Sequence, residues 1–422
     1  MNILLQVALR NVFRNRRRSL FTLSAILVGL AVVLGITGVS NGFYRFSIEN
    51  AVNVKIGALQ IHKSGFMDNI SSNPLTFNFD YSPELLARIE SVKGVKAAGG
   101  RIVFRGLVSN GRNQALFFGN AVDVEREQKV CPRWLGTLTE GSLPLVPGDS
   151  GQAMVGQELA KSLNVAPKST QALQNDSSSE QLPGEFLNLS GASPQGRQNA
   201  VDVQVKATTR SLLPMEEKRS VTLPLSVAQS LLGLEGKVTE IAVAVDNLDD
   251  LEDVQQRLQK VLGSEFEVST WSDVQPFLRD VIFRQRIMIA IVSVILFVLV
   301  LFVIANTMTM AVFERTREIG TMLSVGIKRE QIRRIFLAES VFVGIAGALL
   351  GTLLGLVVVV VLNRMGIPFG SDGFEKGMLR PFVELKFVVI AFCVAIVCAA
   401  LAGVFPARRA SSLNPVDALR AS

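Results

Sequence analysis

A chain of 422 residues that is 49% hydrophobic, with a mean hydropathy of +0.36, cannot be an ordinary water-soluble globule, and 19% charged residues exclude a protein made of membrane spans alone. The net charge of +7 and pI near 9.5 raise the question of nucleic acid. Lys and Arg are spread along the chain and are densest beside apolar runs, so membrane orientation accounts for them better.

Residues 1–18 carry Arg10, Arg14, Arg16, Arg17 and Arg18 and no acid, and residues 19–44 carry no charge. The apolar run is too long for a signal-peptide core and lacks an Ala-x-Ala-like cleavage site, which predicts a retained first membrane helix. An arginine at the bilayer centre costs about 2.5–3.5 kcal/mol, so the cluster is expected to hold the N-terminus in the cytoplasm. Three further uncharged spans, 287–313, 340–363 and 387–407, return the C-terminal tail 408–422 to the same side. The basic segment 314–339 then lies inside and the short loop 364–386 outside. Small-residue rows, Gly38 and Gly42 in the first span and Gly347, Gly351 and Gly355 in the third, predict close helix packing. Asn306, Thr307 and Thr309 are expected to bond to neighbouring helices.

Residues 45–283 form the expected outer domain, with an α/β pattern. Val54 to His62 reads as a strand, Pro83 to Val92 as a helix opened by proline, and Val95 to Leu107 as one strand or two. Later come a strand at Val238 to Val245, an amphipathic helix at Leu248 to Leu262 and a strand at Phe266 to Thr270. The polar stretch 167–184 reads as a disordered loop. A helix capped by Ser272, with Pro276 in its first turn and running to Phe313, would be about 60 Å long and project as a stalk (272–286). The fold class is thus a four-helix membrane protein with a large α/β domain between the first and second helices.

Chemical motifs are scarce. No G-x-x-x-x-G-K-[ST] occurs, so this sequence offers no P-loop. The single histidine, His62, cannot build a zinc site alone, and Cys131 stands apart from Cys393 and Cys398, so no disulfide framework is expected. Leu189 to Ser193 faintly resembles an ATPase signature but reads as a hairpin turn. No catalytic residue and no metal site are assigned.

Two ordered patterns carry a resemblance. Asn306, then Glu314-Arg315-Thr316-Arg317-Glu318-Ile319-Gly320, Gly326 and Glu339, resembles the membrane signature of FtsX-like permeases, the superfamily of the MacB exporters and the lipoprotein-releasing permeases. Pro406 to Ala410 and Asn414 to Arg420 resemble the ending of the same family. The resemblance implies that 314–339 holds a coupling helix docking on a separate ABC ATPase, which would carry the ATP and Mg; the coupling residues would be Glu314, Arg315, Arg317, Glu318, Ile319, Gly320, Met322, Leu323 and Gly326. The apolar positions Ile319, Met322, Leu323, Ile332, Ile335 and Phe336 recur near helical spacing, as one surface helix would require. The outer domain resembles the MacB-type split into a porter-like part (45–110 and 237–271) and an inserted sabre-like part (111–236). Within the insert, Gly156 to Leu163 resembles that family's G-x-x-L-A-x-x-L helix.

Ser40-Asn41-Gly42-Phe43 resembles the M-N-G-F of lipoprotein-releasing permeases. That implies lipoprotein extraction from the inner membrane of a Gram-negative bacterium, with acyl chains against Val39, Phe43, Ile287, Ile289 and Ile291. The implied partners are an ATPase dimer, a second permease subunit (the same chain or another), membrane lipids and a periplasmic lipoprotein carrier. The stretch from Ser190 to Val201 is short for the hook that recruits such a carrier. The alternatives are a MacB-like exporter of small molecules or peptides and an FtsX-like regulator of cell-wall hydrolases.

Overall fold

The computed structural model describes residues 16–69, 72–139, 142–166, 186–211, 214–369 and 377–415. The polar insert 167–184, Arg10 and Arg14, and the end of the tail from Val416 to Arg420 lie outside the described residues. In chain order, helix α1 (Arg16–Ala51) ends in a π turn (Val52–Ile56) and is followed by β1 (Leu59–Lys63), α2 (Pro83–Glu90), β2 (Val95–Ser109), β3 (Gln114–Val122), α3 (Val124–Val130), β4 (Gln152–Gly156) and α4 (Gln157–Ser162). Next come β5 (Phe186–Ala192), β6 (Gln198–Thr209), β7 (Ser220–Pro224), α5 (Leu225–Leu232), β8 (Glu240–Val245), α6 (Leu251–Leu262) and β9 (Phe266–Thr270). Helices α7 (Pro276–Glu314), α8 (Thr316–Ser324), α9 (Arg329–Met365) and α10 (Leu385–Ser411) complete the chain. They divide into an α/β unit, mainly Ser47–Arg279, and a helical unit made of the flanking residues.

Nine strands of the α/β unit form one sheet in the order β9-β1-β8-β2-β3-β7-β4-β6-β5, and β5 pairs back onto β2; Phe79–Asp80 and Lys237–Val238 form a separate short pair. That return closes β2, β3, β7, β4, β6 and β5 into a small barrel, while β9, β1, β8 and the first half of β2 remain an open sheet. Strand β2 therefore serves both halves, and the expected boundary at residue 110 cuts through the barrel. Alternation decides which side chains fill it. Phe104, Phe117, Leu187, Leu189, Val203 and Leu223 point inward and are fully buried, whereas Arg105, Leu107, Leu116 and Phe118 are exposed. Gly106 sits where β5 crosses β2: a Cβ there would collide with the Ser190 carbonyl oxygen and the Phe117 ring. Over the open sheet, α6 buries Leu251, Val254, Leu258 and Leu262, and α2 buries Leu86 and Ile89. Ser82 caps α2 by accepting a hydrogen bond from the Leu85 backbone N–H at 3.2 Å, with Pro83 in the first turn.

In the helical unit, four helices are long and apolar enough to cross a membrane. The glycine row of α9 faces α1. A Cβ at Gly347 would lie 2.8 Å from Ile26, at Gly351 2.9 Å from the Leu27 carbonyl oxygen, and at Gly355 2.8 Å from Leu34. Such close backbones are the geometry that small residues permit in a membrane. Gly344 meets Ala399 of α10 in the same way. Helix α7 is the exception: only 6% of its most apolar window is buried.

Five expectations need correction. Val54 to Ile56 are not strand; they extend α1 as the π turn, with Val52 and Ile56 buried four residues apart, and Gly57 (φ 74°) then redirects the chain into β1. Leu189 to Ala192 are not a turn but the end of β5, because their inward alternation outweighs local turn chemistry; the reversal follows, closed by the Ser193 N–H donating to the Arg197 carbonyl. The stalk helix does not start at Asp273. Thr270 and Asp273 cap a single turn (Trp271–Val274), Gln275 breaks it at φ −118°, as a residue before proline tends to, and α7 begins at Pro276. Ile332, Ile335 and Phe336 do not share a helix with Ile319, since α9 begins at Arg329 and carries them. Thr307 and Thr309 donate to the Val303 and Ala305 carbonyls of their own helix rather than to a neighbour, one turn back as threonine often does.

Candidate functional site

Helix α7 has 39 residues, which at 1.5 Å each makes a rod about 58 Å long. It ends at Glu314. Arg315 leaves helical geometry (φ −108°, ψ 16°), and α8 restarts at Thr316. The nine residues of α8 are strongly two-faced. Ile319 and Gly320 are buried, and Ile319 shares a core with Ile26, Ile304, Met308, Val312, Ile332 and Phe336. Met322 and Leu323 pack half-buried against that core. Glu314, Arg317 and Glu318 are exposed, as are Thr321, Ser324 and Val325, the last at 80%.

The end of α8 explains Gly326. Its N–H donates to the Leu323 carbonyl at 3.1 Å, the Ile327 N–H donates to the Met322 carbonyl at 3.1 Å, and Gly326 itself has φ 95°. This is a Schellman closure, which needs a residue tolerant of positive φ. The chain re-enters a helix when the Lys328 N–H donates to the Gln331 side chain at 3.0 Å. The predicted coupling residues thus separate into an exposed face (Glu314, Arg317, Glu318), an anchoring face (Ile319, Gly320, Met322, Leu323) and a cap (Gly326). Arg315 belongs to none of these. It is 4% exposed and its Nη1 donates to Glu339 Oε2 of α9 at 3.2 Å, a buried ion pair that ties the joint between α7 and α8 to the next span. Arg409 of α10 lies 4.5 Å over the Phe313 ring and holds the end of α7 from another side.

At the other end of the bundle, Asn41 Nδ2 donates to the Phe382 carbonyl at 3.4 Å, and the Phe382 N–H donates to the Gly38 carbonyl at 3.1 Å. A Cβ at Gly42 would lie 2.7 Å from the Arg380 carbonyl oxygen, and one at Gly38 2.9 Å from Val359. The Asn41-Gly42 pair therefore seats the segment that leads into α10. Val39, Phe43 and Ile289 are half-buried, whereas Ile287 and Ile291 are exposed at 45% and 55%.

Sequence reasoning missed a buried polar network in the α/β unit. Arg101 of β2, 2% exposed, donates from Nε and Nη2 to the two Glu127 carboxylate oxygens of α3 at 3.0 and 2.6 Å. Its Nη1 donates to Glu240 Oε1 of β8 at 3.2 Å and to the Ile56 carbonyl at 3.4 Å. Its Nη2 also donates to Cys131 Sγ at 3.2 Å, and that thiol donates to the Val52 carbonyl at 3.4 Å. Gln60 Nε2 adds a 3.0 Å bond to Ile56 O. Orphan carbonyls at the end of the α1 π turn are thereby satisfied by the sheet and α3. Burial alone raises the Glu240 carboxyl, but the His62 ring 3.5 Å away and the Arg101 charge outweigh it and hold that carboxyl below the usual carboxylate range. Burial pushes the Cys131 thiol up to about 12, which leaves it inert. His62, stacked on Phe66 at 4.2 Å, is a structural member of this network. The one signal in the sequence was a lone charge inside the apolar run from Ala97 to Phe104.

Two family models match this chain in order. The family model described as MacB-like periplasmic core domain matches residues 19–261, more than half of the chain, and the FtsX-like permease C-terminal model matches residues 290–415. A macrolide export ATP-binding/permease protein, MacB, of Campylobacter jejuni is 24% identical over 98% of this chain and 60% of its own length. An uncharacterized ABC transporter permease of Methanocaldococcus jannaschii is 28% identical over 49% of this chain and 51% of its own. The chain thus spans about half to three-fifths of the length of these curated relatives. The crystal structure of the periplasmic region of MacB from Actinobacillus actinomycetemcomitans aligns over 55% of this chain and 97% of its own, with 7% identity and a TM-score of 0.35. With four apolar helices, an α/β domain between the first two and both family models in order, the chain belongs to the FtsX-like, MacB-type family of ABC transporter permeases.

Proposed function

We propose that this permease couples ATP hydrolysis, by an ATPase outside these 422 residues, to movement of its α/β domain. The observation that carries the reading is the arrangement of α8: a short helix with one face fixed in the bundle core, a charged exposed face, and a one-residue connection through Arg315 to a rod of 39 residues. A push on Glu314, Arg317 and Glu318 would be carried into α7 without bending a loop, because the Arg315–Glu339 pair and the Arg409–Phe313 contact brace the joint. With both termini in the cytoplasm of an inner membrane, the ATPase would meet α8 there.

The cargo we assign is a lipoprotein, lifted out of that membrane by two permease subunits. Its support is the exposed apolar face of α7 around Ile287 and Ile291, together with the Ser40–Phe43 motif of α1. A membrane anchor leaving the bilayer needs apolar contact of this kind. The test is depletion of the protein from its native cell followed by pulse-labelling of lipoproteins. Outer-membrane lipoproteins should stay in the inner membrane, and wild type but not Glu318→Lys should release them; normal sorting would remove the lipoprotein reading. A second reading, export of small molecules or peptides, is favoured by the macrolide-export relative that spans 98% of this chain. Raised drug susceptibility with normal sorting would establish that reading instead.

A further inference from the structure

The end of the helical unit from which α1 and α7 lead into the α/β domain is rich in arginine. Arg45, Arg284, Arg286, Arg364 and Arg380, with Lys386, are all exposed there. Arg284, Arg286, Arg364, Arg380 and Lys386 make no ion pair among the described residues. Cations are expected to gather at the cytoplasmic ends of spans, so an unpaired set at the opposite end has a cost in topology that a function would have to offset.

Two of these arginines lie over aromatic rings, and the backbone of a third packs beside them. The Arg286 guanidinium lies 5.3 Å over Tyr44, and Arg45 lies 5.8 Å over Phe382. The Arg380 backbone abuts Gly42, two residues before Tyr44. Tyr44 is 4% exposed, its ring meets Phe43 edge-on at 6.5 Å, and its hydroxyl has no hydrogen-bond partner among the described residues. A buried hydroxyl left without a partner costs about 1–3 kcal/mol, so the site favours an acceptor arriving from outside the chain. Directly below, towards the membrane centre, Ile287, Ile291 and Val294 of α7 are exposed at 45%, 55% and 61%. The collar thus presents guanidinium donors above an apolar track, with the Tyr44 phenol buried beneath Arg286.

We propose that this arginine–aromatic collar binds the phosphate of an anionic phospholipid, with Arg286 and Arg380 as the principal cations, Tyr44 donating to the same phosphate, and the acyl chains lying along α7. Arginine suits this task because its planar fork matches phosphate geometry while its stem crosses the interface. The inference does not depend on the cargo assigned above: a lipoprotein's diacylglyceryl anchor carries no phosphate, so the lipid would be a second ligand of the same membrane face.

The test is native mass spectrometry of the full-length protein in mild detergent, titrated with phosphatidylglycerol, phosphatidylethanolamine or diacylglycerol. Phosphatidylglycerol should bind at least about tenfold more tightly than either other lipid. Arg286→Gln and Arg380→Gln should each remove about that factor, Tyr44→Phe a few-fold, and Arg364→Gln, at the same end but on α9, nothing. Added inorganic phosphate should not displace the lipid. Equal binding of the three lipids, unchanged binding in the Arg286 and Arg380 variants, or an equal loss in Arg364→Gln would overturn the proposal. Displacement by inorganic phosphate would do so too, by showing an anion site without lipid specificity. The two single variants carry the comparison independently should one of them lose monodispersity. Lipoprotein release is read separately, so either idea can fail without the other.

Discussion

Two buried arginines, one in each unit, brace the ends of long helices. Arg101, in the α/β unit, is shared between Glu127 and Glu240 and also bonds a thiol and a backbone carbonyl. Arg315, in the helical unit, meets Glu339. Both stand at the end of a long helix: Arg101 satisfies the π turn that closes α1, and Arg315 occupies the joint where α7 stops. The difference shows what each joint must do. The network of β2, β8, α3 and the π turn, all within the α/β unit, is over-determined and holds the π turn in one geometry. The joint at Arg315, inside the helical unit, is braced by a buried ion pair and by the Arg409–Phe313 contact, and so carries a push on α8 into α7.

The largest expected effect breaks the first joint. Arg101→Met leaves Glu127 and Glu240 buried without their cation and should destabilise the α/β unit by about 3–5 kcal/mol. Denaturant unfolding of the full chain measures this, and Glu127→Gln combined with Arg101→Met should recover part of the loss. Acid probes the same joint. Because the folded-state Glu240 carboxyl is held below its ordinary value of about 4.3, its contribution is complete at neutral pH and drains away as pH falls below that value. The Arg101→Met variant should lose that part of the acid sensitivity.

The second joint should cost less to break. Arg315→Met leaves one buried carboxylate, for an expected loss of about 3 kcal/mol, and Arg315→Met with Glu339→Met should return most of it. Unfolding in mixed micelles gives both values. If the double variant stays as unstable as the single, the pair is not the brace described here. Gly351→Leu tests the packing beneath that joint. Its side chain would enter the Leu27 backbone, and an overpacking cost of about 1–3 kcal/mol should appear as lowered thermal stability in detergent. Smallest is Ser82→Ala, which removes the α2 cap and should cost about 1 kcal/mol with no effect on the helical unit.

Legibility in the sequence followed the same division. The four apolar spans and the α/β character of the domain between the first two could be read directly, because uncharged length and alternation are local signals. Leu248 to Leu262 was readable as amphipathic, although its first three residues form a separate short turn before α6. What stayed hidden depends on contacts distant in sequence. Nothing near Leu189 says that β5 will return to β2, and nothing near Val54 says that a membrane helix will continue five residues past Ala51. Arg101 and Glu240, 139 positions apart, become partners only when β8 pairs with β2. At α8 the motif marked the right segment without distinguishing its faces: Arg315 and Ile319 were grouped with Glu318, though two of the three are buried.

The central claim is that the exposed face of α8 transmits work while contributing little to the stability of the fold. Glu318→Lys tests it most directly, with three readings on one preparation of the permease and its ATPase: ATP hydrolysis, substrate release and thermal unfolding. The account predicts hydrolysis that persists, release that is lost and an unfolding temperature close to that of wild type, because Glu318 is exposed, where a charge interaction contributes about 0–1 kcal/mol, while Ile319 and Gly320 hold the helix. Normal release by Glu318→Lys would contradict it, and the coupling face would have to be sought elsewhere on the chain.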